Sequence, residues 1–170
     1  MTAELSRLVS VTKIGQSGLS LVVEATPAEC DAVAKRMDLP GIQALKCIFA
    51  LTRDEDEEGV IVGMGHLHAR VTRICVVSAE EFETAVEDHF ELRFVPAGEE
   101  SDDLDPGRED EIPYEGDILD LGDAAAEQLG LILDPYPKME GAVMPEVEGD
   151  DDRSPFSVLK RKTDGEKSRK

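Results

Sequence analysis

Polar and apolar residues alternate most clearly along Ala69 to Val95. Phe82, Val86, Phe90, Leu92 and Phe94 occupy even positions, and Glu81, Glu83, Glu87, His89, Glu91 and Arg93 occupy odd ones. A period of two sends successive side chains to opposite faces of a strand, whereas a helix would scatter this set around its axis. With Ala69-Arg70-Val71-Thr72-Arg73-Ile74-Cys75-Val76-Val77 before it, the segment predicts a central strand pair with one face on the core. Thr84 and Asp88 interrupt the apolar row, so a bend or bulge is expected there. Four of the five phenylalanines, Phe49, Phe82, Phe90 and Phe94, fall in predicted strands, which concentrates the aromatic packing in this region.

The flanking segments supply further elements. A short strand is expected at Leu8–Val11 and another over residues 18–25. Thr26-Pro27-Ala28-Glu29 carries a helix start, with Thr26 as cap, Pro27 at the first helical position and Glu29 completing a capping box. That helix should reach about Met37, with Ala28, Ala32, Val33 and Met37 on its apolar side. Residues 42–52 alternate again, with an irregularity expected near Lys46. The acidic turn Asp54–Gly59 then joins them to Val60–Leu67 as a hairpin with a long tip. Gly63 and Gly65 inside that return strand suggest a bulge or a strongly coiled sheet. Ile118, Leu121, Ala125, Leu129 and Ile132 recur at helical spacing, which predicts a second amphipathic helix beginning near Asp120 and stopped by Asp134-Pro135-Tyr136-Pro137.

These elements give an α+β class: an antiparallel, strongly curled, partly barrel-like sheet with two helices, a long acidic loop and a flexible C-terminal tail. One domain is expected over residues 1–137, with 96–117 an acidic disordered loop. A linker follows over 138–153, then a short apolar island and basic tail over 154–170. Residues 96–117 hold ten acids against one base, Arg108. Their Asp102-Asp103-Leu104-Asp105 does not match a calcium loop, which needs ligands at alternating positions and a later Glu.

Charge narrows the partners. The 170-residue chain carries −20, but residues 160–170 hold six Lys and Arg against two acids, which leaves −24 on the rest. A field of that sign repels bare phosphates and attracts basic proteins. No apolar run reaches the length of a membrane span and no signal pattern opens the chain, so a cytoplasmic protein is expected. Three widely spaced cysteines, Cys30, Cys47 and Cys75, fit reduced thiols.

Catalytic motifs are not found, and no cofactor, metal or small-molecule substrate is expected. His66 and His68 share a strand face and could meet Cys75 around a metal, against the plainer reading of a surface pair. Arg73, two residues from Cys75, could lower its thiol pKa, against the plainer reading of a buried small hydrophobe. The tail joins Phe156, Val158 and Leu159 to Lys160-Arg161-Lys162, an apolar anchor with a basic flank suited to a partner or to RNA.

Several landmarks occur together. They are the capped Thr-Pro-Ala-Glu helix, Ala69–Ser78 leading into an acidic strand, and Asp120-Leu121-Gly122-Asp123 opening a helix that carries Glu127-Gln128-Leu129. Asp134-Pro135-Tyr136-Pro137 and Pro155-Phe156-Ser157-Val158-Leu159 complete the set. This arrangement resembles the YceD family, the large ribosomal RNA subunit accumulation proteins, in an alphaproteobacterial form, over roughly residues 5–162. The resemblance implies a non-enzymatic role in 23S ribosomal RNA accumulation or processing during large-subunit assembly. Many relatives carry a second cysteine at the position of Ser78, and relatives of this subgroup often have glutamine at Arg73 and Thr-Leu-Glu-Pro in place of Ser78–Glu81. Ser78 therefore leaves Cys75 without the partner that paired-cysteine metal or redox chemistry needs. The expected partner is a basic ribosomal protein, precursor 23S RNA, or both, with Arg70, Arg73, Cys75, Asp120, Leu121, Pro135, Pro137, Phe156, Leu159, Lys160, Arg161 and Lys162 as candidate binding residues. Two alternatives stand beside it: direct RNA binding through the Arg70/Arg73 region and the basic tail, and a metal- or thiol-dependent enzyme.

Overall fold

A computed structural model describes residues 3–99 and 110–143. The chain separates into two compact units, Met1–Glu140 and Gly141–Lys170, and the described residues of the second are 141–143. The centre of the acidic loop, most of the linker and the whole basic tail therefore lie outside the described residues.

The first unit begins with β1 (Leu8–Ser10), a 3-10 turn at Val11–Lys13, and β2 (Leu19–Glu24). Helix α1 (Pro27–Arg36) starts as its sequence predicts. The Thr26 hydroxyl accepts from the Glu29 N–H at 3.3 Å, and the Glu29 carboxylate accepts from the Thr26 N–H at 2.8 Å. Its buried side is Cys30, Val33 and Ala34, with Met37 packed against the core, so the predicted row holds at Val33 and Met37 but not at Ala28. Ala28 is exposed because the helix packs mainly on β3 through its middle turns.

Strands β3 (Gly41–Arg53), β4 (Ile61–Ile74) and β5 (Glu81–Pro96) form a long antiparallel meander, with β2 outside β3. β6 (Asp110–Tyr114) joins the far side of β5 in parallel, giving the order β2-β3-β4-β5-β6. β7 (Ile118–Asp120) pairs with β1 in a separate two-stranded sheet and leads directly into helix α2 (Leu121–Ile132). Core side chains from Phe49, Leu67, Leu92, Phe94, Leu119, Leu121 and Leu129 meet on the helix side of the main sheet.

The expected sheet needs correction on two counts. The five-stranded sheet is mixed, because β6 runs parallel to β5, and neither sheet is closed or strongly curled. β6 also occupies part of the segment expected to be a loop. Its Glu111 and Asp110 hide the strand from a composition-based reading, while Ile112 packs against the core and Tyr114 donates to the Gly59 carbonyl. The two glycines do not bulge the ladder either. β4 and β5 stay in one register from Ile61↔Phe94 to Ile74↔Glu81, through Thr84 and Asp88. Gly65 instead makes room for the Phe90 ring opposite it, and Phe90 meets Phe49 edge to face at 5.9 Å. The one irregularity in β3 lies between Ile42 and Ala44, ahead of the position expected at Lys46.

Candidate functional site

The turn between β4 and β5 is where the sequence candidates converge. Alternation along β4 turns Arg73 inward, and its side chain is only 9% exposed. A buried guanidinium needs acceptors, and Nη2 of Arg73 donates to the Asp134 carbonyl at 2.5 Å. The Val76 N–H donates to the Pro137 carbonyl at 2.9 Å. The Cys75 sulfur, 1% exposed, accepts from the Met139 N–H at 3.4 Å and the Ser78 N–H at 3.5 Å. Residues 134–139 are thereby strapped across the turn. Proline at 135 and 137 keeps α2 from continuing, which leaves the Asp134 and Pro137 carbonyls and the Met139 N–H to pair with the turn.

Those amides set the chemistry of the thiol. The Met139 N–H, followed by Ser78, pulls Cys75 down to about 7, because hydrogen bonds to a thiolate favour it. The sequence had pointed to Arg73 for this effect, but that guanidinium is turned to Asp134. Cys47, by contrast, is pushed up to about 12 by burial, and burial also raises Cys30.

Asp120 and Leu121 lie at the other end of α2. Asp120 caps the helix by accepting from the Gly122 and Asp123 N–H groups at 3.0 and 3.2 Å. It also accepts from the Ser6 hydroxyl at 2.6 Å and the Arg7 N–H at 2.8 Å, while Leu121 is fully buried. Arg7 was not singled out from sequence, yet it joins the starts of both helices. Its guanidinium grips both oxygens of Glu29 at 2.7 and 2.9 Å and the Glu24 carbonyl at 2.9 Å. The paired guanidinium, together with the Thr26 N–H, draws Glu29 down to about 2. Only the chain reversal that brings residue 7 against residue 29 reveals this bidentate pair.

The outer face of the sheet, away from the helices, carries Arg70, Lys46, His66, His68 and His89 with the glutamates of β5. His66 and His89 stack at 3.9 Å, and His66 Nε2 lies 2.6 Å from Glu87. His66 and His68 thus sit on a different face from buried Cys75, so the three do not converge. Among the described residues, no group of His, Cys, Asp and Glu is arranged to hold a metal ion. On the opposite side, a cleft of about 420 Å³ opens between β6, β7 and α2, lined by Glu111, Glu115, Asp123 and Glu127 over Phe94 and Ile112.

The structure therefore brings Arg73, Cys75, Pro135 and Pro137 into one assembly, sets Asp120 and Leu121 at a second, and leaves Arg70 on the open sheet face. Phe156, Leu159, Lys160, Arg161 and Lys162 lie outside the described residues. No helix among the described residues is long and apolar enough to cross a membrane.

Comparison with curated proteins found no match, and comparison with solved structures found none either. A family model described as large ribosomal RNA subunit accumulation protein YceD matches residues 63–168. The matched span takes in most of β4, the strapped turn, β5, α2 and the terminal apolar–basic segment, and leaves α1 outside. It covers more than half of the chain, and on that ground this protein belongs to the YceD family of large ribosomal RNA subunit accumulation proteins.

Proposed function

We propose that this protein supports accumulation of large-subunit ribosomal RNA by binding, with its acidic body holding a basic ribosomal protein and its basic tail contacting precursor RNA. The observation that supports this reading is the use made of its arginines. Six arginines fall among the described residues, and five are engaged within the protein. Arg7 pairs with Glu29, Arg36 with Glu4 and Asp123, and Arg93 with Asp54 and Glu57. Arg53 donates to the carbonyls of Ile14 and Val11, and Arg73 to that of Asp134. Cations committed in this way are not offered to a phosphate backbone, so the body presents its excess carboxylates. A basic protein is the complementary partner. In sequence, six of the eighteen Lys and Arg cluster over residues 160–170, which suits a separate RNA contact.

Affinity capture from a cell lysate tests this, combined with sucrose-gradient analysis after depletion. Recovery of large-subunit protein or precursor particles, and a shortage of mature large subunits on depletion, is expected. Capture of neither, with normal 23S levels after depletion, overturns it. Direct RNA binding through the Arg70 region is the competing outcome. It predicts strongly salt-dependent RNA binding that survives removal of residues 154–170.

A further inference from the structure

We infer that the edge of β5 from Glu81 to Glu91, which no described strand covers, is a docking edge for an extended peptide that alternates basic with apolar residues. The inference rests on the binding role above and deepens it by naming a surface and a mode.

β5 is paired with β4 from Glu81 to Phe94, but β6 reaches it only from Leu92 to Pro96. Among the described residues, nothing pairs with the other side of Glu81–Glu91, and no backbone hydrogen bond outside the β4 ladder involves residues 82–91. An unbroken strand run of that length offers a row of backbone donors and acceptors to an incoming strand.

The side chains define what can enter. Glu81, Glu83, Glu87 and Glu91 project from the outer face. On β4 their cross-strand partners are Ile74, Thr72, His68 and Met64. Glu87 meets His66, whereas Glu81, Glu83 and Glu91 have no ion pair among the described residues. Opposite-charge pairs between neighbouring strands stabilise a sheet and like charges oppose it, and these three acids have no cation directly opposite on β4, a pairing that a new strand would supply. On the other face, Phe82, Val86 and Phe90 are only half-buried, which leaves apolar surface beside the empty edge. An added strand would place alternate residues against the glutamates and the rest against the rings. Pairing with a second copy of β5 is disfavoured, since it would set one glutamate row beside another. Lys or Arg on one face and apolar residues on the other is the matching chemistry.

The test uses the full chain and three synthetic nine-residue peptides: alternating Lys and Val, the same peptide N-methylated at every residue so that no strand donor remains in either orientation, and alternating Glu and Val. Backbone NMR of the protein should show the Lys–Val peptide shifting residues 82–90 and slowing their amide exchange. The methylated peptide keeps the charge but loses strand donors, and should bind about tenfold more weakly or worse; the Glu–Val peptide should not bind. The triple variant Glu81→Lys, Glu83→Lys, Glu91→Lys should weaken Lys–Val binding about tenfold while keeping the wild-type fold by circular dichroism. Equal binding of the methylated peptide, shifts centred elsewhere, or an unchanged affinity in the triple variant overturns the inference. If lysate capture succeeds equally with wild type and triple variant, the edge is wrong while the binding role stands. If capture fails with wild type yet the Lys–Val peptide docks on β5, the role is wrong and the edge stands.

Discussion

Replacing Gly65 by alanine tests the packing of the central ribbon most directly. A β-carbon there would lie 2.1 Å from Cζ of Phe90 and 2.3 Å from its Cε2, so the ring must move. Moving it breaks the edge-to-face contact with Phe49, worth about 1 kcal/mol. A ring driven off its rotamer adds about 1 kcal/mol, and re-exposing part of a half-buried ring adds about another 1 kcal/mol. Alanine recovers about 0.7 kcal/mol of backbone entropy relative to glycine. The net loss is about 2 kcal/mol, or a Tm lower by about 4–8 °C. Phe90→Ala by itself should cost about 2 kcal/mol, below the range for a fully buried phenylalanine. In the double variant the clash disappears, so Gly65→Ala should then be neutral or slightly stabilising. Urea melts of the four proteins close the cycle, with an expected coupling of about 2 kcal/mol or more. Losses that add to within about 0.5 kcal/mol would refute the account, because they would mean that Gly65 is not shaped by Phe90.

Other outcomes follow from the same geometry. Glu29→Gln should cost about 1.5 kcal/mol at neutral pH; its side chain is 24% exposed, so the value is set by a solvent-screened charged hydrogen bond. Since Glu29 is held near 2 when folded, below an ordinary carboxylate, its contribution is complete above about pH 5 and is lost as pH falls toward 2. The difference between wild-type and variant melts should shrink over that window. Gly122→Ala would put a β-carbon 2.7 Å from the Ser6 backbone and 2.8 Å from the Arg7 nitrogen. Backbone cannot yield as a ring does, so a loss of about 3 kcal/mol by chemical denaturation is expected. Cys75→Ala strips the acceptor from the Ser78 and Met139 N–H groups and should lower Tm by about 4 °C, with Cys75→Ser closer to wild type. Reversing the charges of Lys160, Arg161 and Lys162 should abolish capture of precursor RNA while sparing capture of a basic protein, read by sequencing and mass spectrometry of the two eluates.

Sequence alone determined those features whose causes lie within a few residues. Thr26, Pro27 and Glu29 specify a helix start by local hydrogen bonding, and the structure has that start. The alternation from Phe82 to Phe94 specifies a strand with one apolar face, because side chains on a pleated backbone have a period of two. Asp120 and Pro135 bound α2 for equally local reasons. The five landmarks taken in order, from Thr26–Glu29 through Ala69–Ser78, Asp120–Asp123 and Asp134–Pro137 to Pro155–Leu159, carried the resemblance to the family. Only the tertiary structure decided what depends on residues far apart in the chain. β6 pairs in parallel because packing Ile112 and Tyr114 outweighs an acidic composition unsuited to a strand. Gly65 reads as a bulge until Phe90 is seen above it, and Arg73 reads as an RNA contact or a neighbour of the Cys75 thiol until the Asp134 carbonyl, 61 residues on, is seen to receive it. Arg7 was silent for the same reason. A charge is worth what its neighbours make it, and its neighbours are chosen by the fold.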